Sequence, residues 1–199
     1  MKRIWLIRHS QSRSQSGEDD DVVDPELSEL GKQQVRRLKA ALKNNFFEIV
    51  LISPLRRAWQ TFSMAEVQYG QAFFDSRIIE SDWGINGFYA GIIPVSTPDL
   101  GIPDRQNAWL LPVEERTRSL LADLFARPEE SFALFGHWGI FNHLLQLFVG
   151  INTAGINFRA PMDNAAISQL EIDNDQRIIR CWNDRSHVLD LLDPETLAV

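Results

Sequence analysis

Three short apolar, β-prone runs punctuate the first two thirds of the chain, at residues 2–7, 48–52 and 131–135. The second reads Ile49-Val50-Leu51-Ile52 and the third Phe132-Ala133-Leu134-Phe135. Continuous apolarity over so few residues is the pattern of a strand buried on both faces. Between and after them the period changes to that of helices. Val35, Leu38 and Leu42 recur at 3–4 spacing and predict a helix over 28–44, with Ser28 as its N-cap. Pro54 fits the first position of a second helix that buries Ala58, Thr61, Phe62 and Ala65. A third starts near Pro112, shows Val113, Leu120, Leu121 and Leu124, and stops at Arg127-Pro128. A fourth, over 140–149, is closed by Gly150.

Strands alternating with helices imply an α/β fold, a three-layer sandwich whose central sheet is mostly parallel and flanked by helices. Near the C-terminus, residues 165–172 and 177–182 flank Asp173-Asn174-Asp175-Gln176, a hairpin that makes the sheet mixed. Residues 80–111 carry Gly84, Gly87, Gly91, Pro94, Pro98, Gly101 and Pro103 and read as an irregular excursion over a site. Composition does not break anywhere along the 199 residues, so 1–199 reads as one domain.

The apolar start is interrupted by charge too soon for a signal-peptide core or a membrane span, so a cytoplasmic protein with no membrane partner is expected. Cys181 is the one cysteine; it lies in Ile178-Ile179-Arg180-Cys181-Trp182, a strand pattern rather than the setting of an activated thiol. A formal charge of −7 argues against nucleic acid as a partner, because backbone affinity needs clustered Lys and Arg. A few arginines converging in one pocket still suffice for a small anion. His143 and His187 have no cysteine or carboxylate at ligand spacing, so no metal or other cofactor is expected. No feature of the chain marks an oligomeric interface.

In open α/β sheets ligands bind beyond the carboxyl ends of the strands. The residues there are alike in chemistry: Arg8-His9 after the first strand, Arg56-Arg57 a helical turn past the second, His137 after the third. Taken singly, a histidine at a strand end is usually a structural hydrogen bonder, and arginines at a helix start are usually solvated. Their coincidence at one edge points to a phosphoryl group, whose oxygens match the planar fork of arginine.

Taken in order, these segments resemble the histidine phosphatase superfamily, also called the phosphoglycerate mutase-like family. Leu6-Ile7-Arg8-His9-Ser10 is similar to its Arg-His-Gly opening, and residues 27–34 to its Leu-Thr-x-x-Gly-x-x-Gln segment. Ser53-Pro54-Leu55-Arg56-Arg57-Ala58-Trp59-Gln60-Thr61 is similar to Ser-Pro-Leu-x-Arg-Ala-x-Gln-Thr, which selects Arg57 over Arg56. Ile79-Glu80 with Gly84 resembles the acid-bearing region, Phe135-Gly136-His137-Trp138-Gly139 the second histidine motif, and Asp163-Asn164-Ala165 the later Asn-Ala segment. Ser10 and Trp138 depart from the family pattern by standing where glycine is usual.

The resemblance implies a metal-independent phosphatase acting through a phosphohistidine. His9 is then the nucleophile, Arg8, Arg57 and His137 bind the phosphoryl oxygens, and Glu80 is the acid and base, with Glu18 and Asp82 as alternates. Positive neighbours keep His9 unprotonated, and negative phosphate raises the pKa of Glu80. The substrate is a small phosphorylated molecule or a phosphoprotein. Two other readings remain in view, a mutase that passes the phosphoryl group to a second hydroxyl and a non-catalytic module that binds phosphorylated ligands.

Overall fold

The computed structural model describes residues 1–18, 24–80, 102–106, 111–151 and 158–191. Its strands are β1 (Lys2–Arg8), β2 (Phe46–Ile52), β3 (Gln68–Asp75), β4 (Asp104–Gln106), β5 (Ser131–Gly136), β6 (Ile167–Asp173) and β7 (Gln176–Asp184). Its helices are α1 (Glu29–Leu42), α2 (Arg56–Ala65), α3 (Val113–Ala126) and α4 (Trp138–Val149), with 3-10 turns at Ser76–Ile78 and Ser186–Leu191. Among the described residues no helix is long and apolar enough to cross a membrane.

The strands form one sheet in the order β4-β3-β2-β5-β1-β6-β7. Neighbours from β4 through β1 are parallel. β6 is antiparallel to both β1 and β7, so the mixed character comes from the C-terminal hairpin, as the sequence pattern indicates. Asn174 takes a positive φ of 52° in the turn of that hairpin, a conformation asparagine tolerates.

Because successive strand residues point to opposite faces, the central strands divide their side chains between two cores. Ile4 and Leu6 of β1, Ile49 and Leu51 of β2, and Phe132 and Leu134 of β5 meet Leu120 and Leu124 of α3 and Ile140, Leu144 and Phe148 of α4. On the other face Ile7, Val50, Ile52, Ala133 and Phe135 meet Val35 and Leu38 of α1 and Phe62 of α2. Each such side chain contributes about 1.5–3 kcal/mol on burial. A slip of one residue would exchange the two sets, so register is firmly specified.

Three boundaries differ from the sequence pattern. α2 starts at Arg56, not Pro54: Leu55 stays extended as its N-cap, and the Asp24 carboxylate accepts the Arg56 amide at 2.8 and 3.0 Å in place of a cap from Leu55. α4 starts earlier than Ile140, at Trp138. β3 carries no apolar run, since Gln68, Tyr69, Gly70 and Gln71 are exposed and only its second half enters the core. Most of the 80–111 excursion lies outside the described residues, which hold only Glu80, β4 with Ile102 and Pro103 before it, and Leu111.

Candidate active site

The chain leaves β1 for α1 on one face and β5 for α4 on the other, so a crevice opens beyond the carboxyl ends of two adjacent parallel strands. His9 and His137 lie there, with ring centroids 5.1 Å apart. β2 lies on the other side of β5 and delivers Ser53 and, through α2, Arg57. The ladder continues one step past the strands, His9 donating from its amide to the Gly136 carbonyl and Ser53 to that of Phe135, both at 2.9 Å. The crevice floor is therefore fixed backbone.

His9 is buried, and Nδ1 sits 2.8 Å from the Ser10 carbonyl oxygen. A carbonyl only accepts, so Nδ1 carries the proton and Nε2 keeps its lone pair. Nε of Arg57 approaches that Nε2 at 3.3 Å. Burial, then the charges of Arg57 and Arg8, hold His9 well below the usual imidazole range, so the ring is neutral at neutral pH. His137 is held low in the same way by burial first and then by Arg57, His9, Arg8 and Arg116. Its Nε2 is 2.8 Å from the Ser53 hydroxyl.

Buried polar nitrogens in this crevice are left without partners among the described residues. Nε of Arg8 and Nδ1 of His137 have no hydrogen-bond partner among the described residues, although each is shut off from solvent. An unpaired buried polar group costs about 1–3 kcal/mol, and a group that brings acceptors recovers that cost. One Arg8 nitrogen donates to the Met162 carbonyl, and the guanidinium is further steadied by the charges of Glu80 and Asp163 against its desolvation. Arg57 is buried while Arg56 is exposed, so the two adjacent arginines part as the motif implies. Asp24 lies 3.9 Å from Arg57 at the rim. Burial raises its carboxyl above the ordinary 3.8, against the Arg56 amide and the charges of Arg57 and Arg56.

Glu80 reaches the same place from the other side. Its Oε1 accepts from the Ile140 amide at 3.3 Å, in the first turn of α4, a helix whose N-cap His137 supplies no side-chain cap. A carboxylate there meets the positive end of the helix. Of the alternates, Glu18 is exposed and paired with Arg13 at 3.7 Å, and Asp82 lies outside the described residues.

Residues that the sequence pattern presents only as letters of a motif turn out to be struts. Thr61 accepts the Ser10 amide at 3.0 Å while donating to the Arg57 carbonyl at 2.7 Å, which couples the loop after His9 to the helix that carries Arg57. Gln60 accepts the Leu27 amide at 2.9 Å. Asn164 donates to the His9 carbonyl at 3.1 Å, and the Ala165 amide joins it at 3.2 Å. Ser28 caps α1 through the Gly31 amide at 3.0 Å. Gly31 lies so close that an added Cβ would stand 2.0 Å from the Gln11 carbonyl oxygen, so only glycine lets α1 press on the loop after His9. Gly136, before His137, is similarly confined: a Cβ would come within 2.9 Å of the Phe141 ring.

The two departures from the family pattern have different fates. The Trp138 indole donates to the Ala160 carbonyl at 2.7 Å and packs against the core beside α3 and α4. It therefore ties α4 to the segment that supplies the Met162 carbonyl to Arg8. The Ser10 hydroxyl is fully buried and has no partner among the described residues.

The model of the histidine phosphatase superfamily (branch 1) matches residues 4–89 and 99–185, which takes in all these elements. This chain belongs to the histidine phosphatase superfamily. Among relatives in the superfamily, a Hydrogenobacter thermophilus protein named "Putative phosphoserine phosphatase 2" is 25% identical over 203 residues, covering 96% of this chain and 100% of its own. The glucosyl-3-phosphoglycerate phosphatase of Mycobacterium tuberculosis is 26% identical over 191 residues, covering 85% of each chain. The crystal structure of a mutant phosphoserine phosphatase from Entamoeba histolytica in complex with phosphoserine superposes with a TM-score of 0.67 at 18% identity, covering 95% of this chain and 100% of that one. That last likeness bears on the fold, a phosphoglycerate mutase-like sandwich.

Proposed function

We propose that this protein is a phosphatase that hydrolyses phosphomonoesters through a phosphohistidine on His9. The observation that carries the reading is the neutral His9 ring, its unprotonated Nε2 facing Arg57, in a crevice where Nε of Arg8 and Nδ1 of His137 are buried without partners among the described residues. A phosphoryl group brings the acceptors they lack. Both curated relatives named above are phosphatases, which supports water as the final acceptor.

In the first step Nε2 attacks phosphorus in line, the bond from phosphorus to the ester oxygen breaks, and Glu80 gives its proton to the departing alkoxide. Arg8, Arg57 and His137 take up the charge that spreads over the nonbridging oxygens. In the second step the Glu80 carboxylate removes a proton from water, the water oxygen attacks phosphorus, and the bond from phosphorus to Nε2 breaks to release inorganic phosphate and restore His9. The same residues would serve a mutase if a second substrate hydroxyl replaced water.

Phosphate release measured over a panel of phosphoserine, glucosyl-3-phosphoglycerate, phosphoglycerates, sugar phosphates, nucleotides and a phosphopeptide tests the proposal. Release from at least one class, faster than isomerisation of phosphoglycerate, is the expected result. Isomerisation without release would favour the mutase, and tight phosphate binding with no turnover would favour the binding module.

A further inference from the structure

A buried arginine on α3 takes no part in the chemistry above. Arg116 is 5% exposed, and its NH1 donates to the Ile79 carbonyl at 3.0 Å, with the Ser76 carbonyl at 3.5 Å. Its Nε has no partner among the described residues. It thus grips the residue before Glu80, and the charge that opposes its desolvation is that of Glu80. The neighbouring Arg77 is a contrast. Arg77 lies between Asp75 at 2.6 Å and Asp123 at 2.8 Å and also reaches the Ser119 carbonyl, which accounts for it as a structural tie between the Ser76–Ile78 turn and α3. The turn is already secured by that pair. Burying a second guanidinium beside it, without a full set of partners, is expensive unless its charge is used.

We propose that Arg116 is a positioning residue for Glu80, holding the backbone just before it against α3 and setting a positive charge within electrostatic reach of its carboxylate for the step that activates water. The proposal rests on Glu80 being the acid and base. Among the described residues, Glu80 accepts from the Ile140 amide of α4 and couples electrostatically to the guanidiniums of Arg8 on β1 and Arg116 on α3. The surroundings of Arg116 also include His137, and His143 with Glu114 beyond it. Both histidines are held low by burial, so they stay neutral near neutral pH. A positive charge lost from beside a carboxylate raises its pKa. Without the Arg116 charge, Glu80 keeps its proton to higher pH, which extends the first step upward and starves the second.

The test uses β-glycerophosphate, whose poor leaving group needs an acid, and compares pH profiles of kcat/KM for wild type, Arg116→Gln, Arg116→Lys and Glu80→Gln. Arg116→Gln removes the charge and shortens the side chain, whereas Arg116→Lys shortens it by less and keeps the charge. It is expected to move the basic limb up by about one pH unit, while lowering the rate of phosphoenzyme hydrolysis near neutrality. Arg116→Lys should leave the limb in place, Glu80→Gln should abolish it, and Arg116→Gln added to Glu80→Gln should shift nothing more. If Arg116→Gln does not fold, Arg116→Met is read in the same way. A lower rate with an unmoved limb in the charge-free variant, or an equal shift in Arg116→Lys, overturns the proposal and leaves Glu80 standing. Persistence of the limb in Glu80→Gln removes the role of Glu80 itself, and this proposal with it.

Discussion

Nε of Arg57 lies 3.3 Å from Nε2 of His9, the nitrogen left without a proton by the contact of Nδ1 with the Ser10 carbonyl. Burial and then this guanidinium hold the His9 ring neutral, and in the proposed reaction the same guanidinium would receive the phosphoryl oxygens. Arg57→Ala should therefore cut kcat/KM by about 10²–10³-fold, the usual cost of losing a donor to transition-state charge. Arg56→Ala should stay within about threefold, because Asp24 holds the backbone amide of residue 56 and its side chain is exposed. Steady-state kinetics on both variants, with folding checked by circular dichroism, separates them.

Ser53→Ala leaves Nε2 of His137 buried without its 2.8 Å partner. Loss of such a bond costs about 1–3 kcal/mol, and the ring loses the contact that fixes its orientation. Turnover should fall about tenfold or more with KM less affected, as expected of a group that acts on the transition state. Ser53→Thr, which keeps the hydroxyl, should recover most of it; failure to recover despite a folded protein would count against the role given to Ser53.

All four histidines, His9, His137, His143 and His187, are held below the ordinary 6.5 by burial. Their pKa is depressed in the folded state, so below about 6.5 the unfolded chain binds protons that the folded chain refuses. Stability is full above that pH and is lost as pH falls toward the folded values. Asp24, raised from 3.8, acts in the opposite sense but at lower pH. The urea midpoint should thus fall between pH 7.5 and 5.5, and the fall should be smaller in His9→Asn. A midpoint independent of pH over that range would contradict the burial of neutral rings.

Turnover of an aryl phosphate should survive excess chelator, since the groups assigned to the phosphoryl oxygens are guanidinium and imidazole. Complete loss on chelation, restored by a divalent ion, would sink that assignment.

Strand and helix order was legible because the central strands are buried on both faces and leave unbroken apolar runs, as at residues 49–52 and 132–135. β3 was not, because half of it is exposed and Gly70 interrupts it. The end of the Pro54 segment was not, because its cap comes from Asp24, thirty-two residues away. At the site, Arg8, His9, the Arg56-Arg57 pair and His137 stood out by charge and position, and the motif resemblance singled out Arg57. The struts Ser53, Thr61 and Asn164 did not, since hydroxyls and amides acquire meaning only from their three-dimensional partners. Arg116 was hidden for the same reason: in Val113-Glu114-Glu115-Arg116 it reads as one more charge on a helix, and only burial sets it apart.

The central claim is that His9 carries the phosphoryl group while His137 only stabilises it. Nδ1 of His9 is committed to the Ser10 carbonyl, which leaves the Nε2 lone pair turned to Arg57, whereas Nε2 of His137 is held against the Ser53 hydroxyl. Rapid acid-free quenching with phosphorus-labelled substrate, on wild type and on Glu80→Gln with its slowed hydrolysis, measures this directly. The account predicts a base-stable, acid-labile label that maps to His9 and vanishes in His9→Ala; a label on His137, or on Ser10, would contradict it.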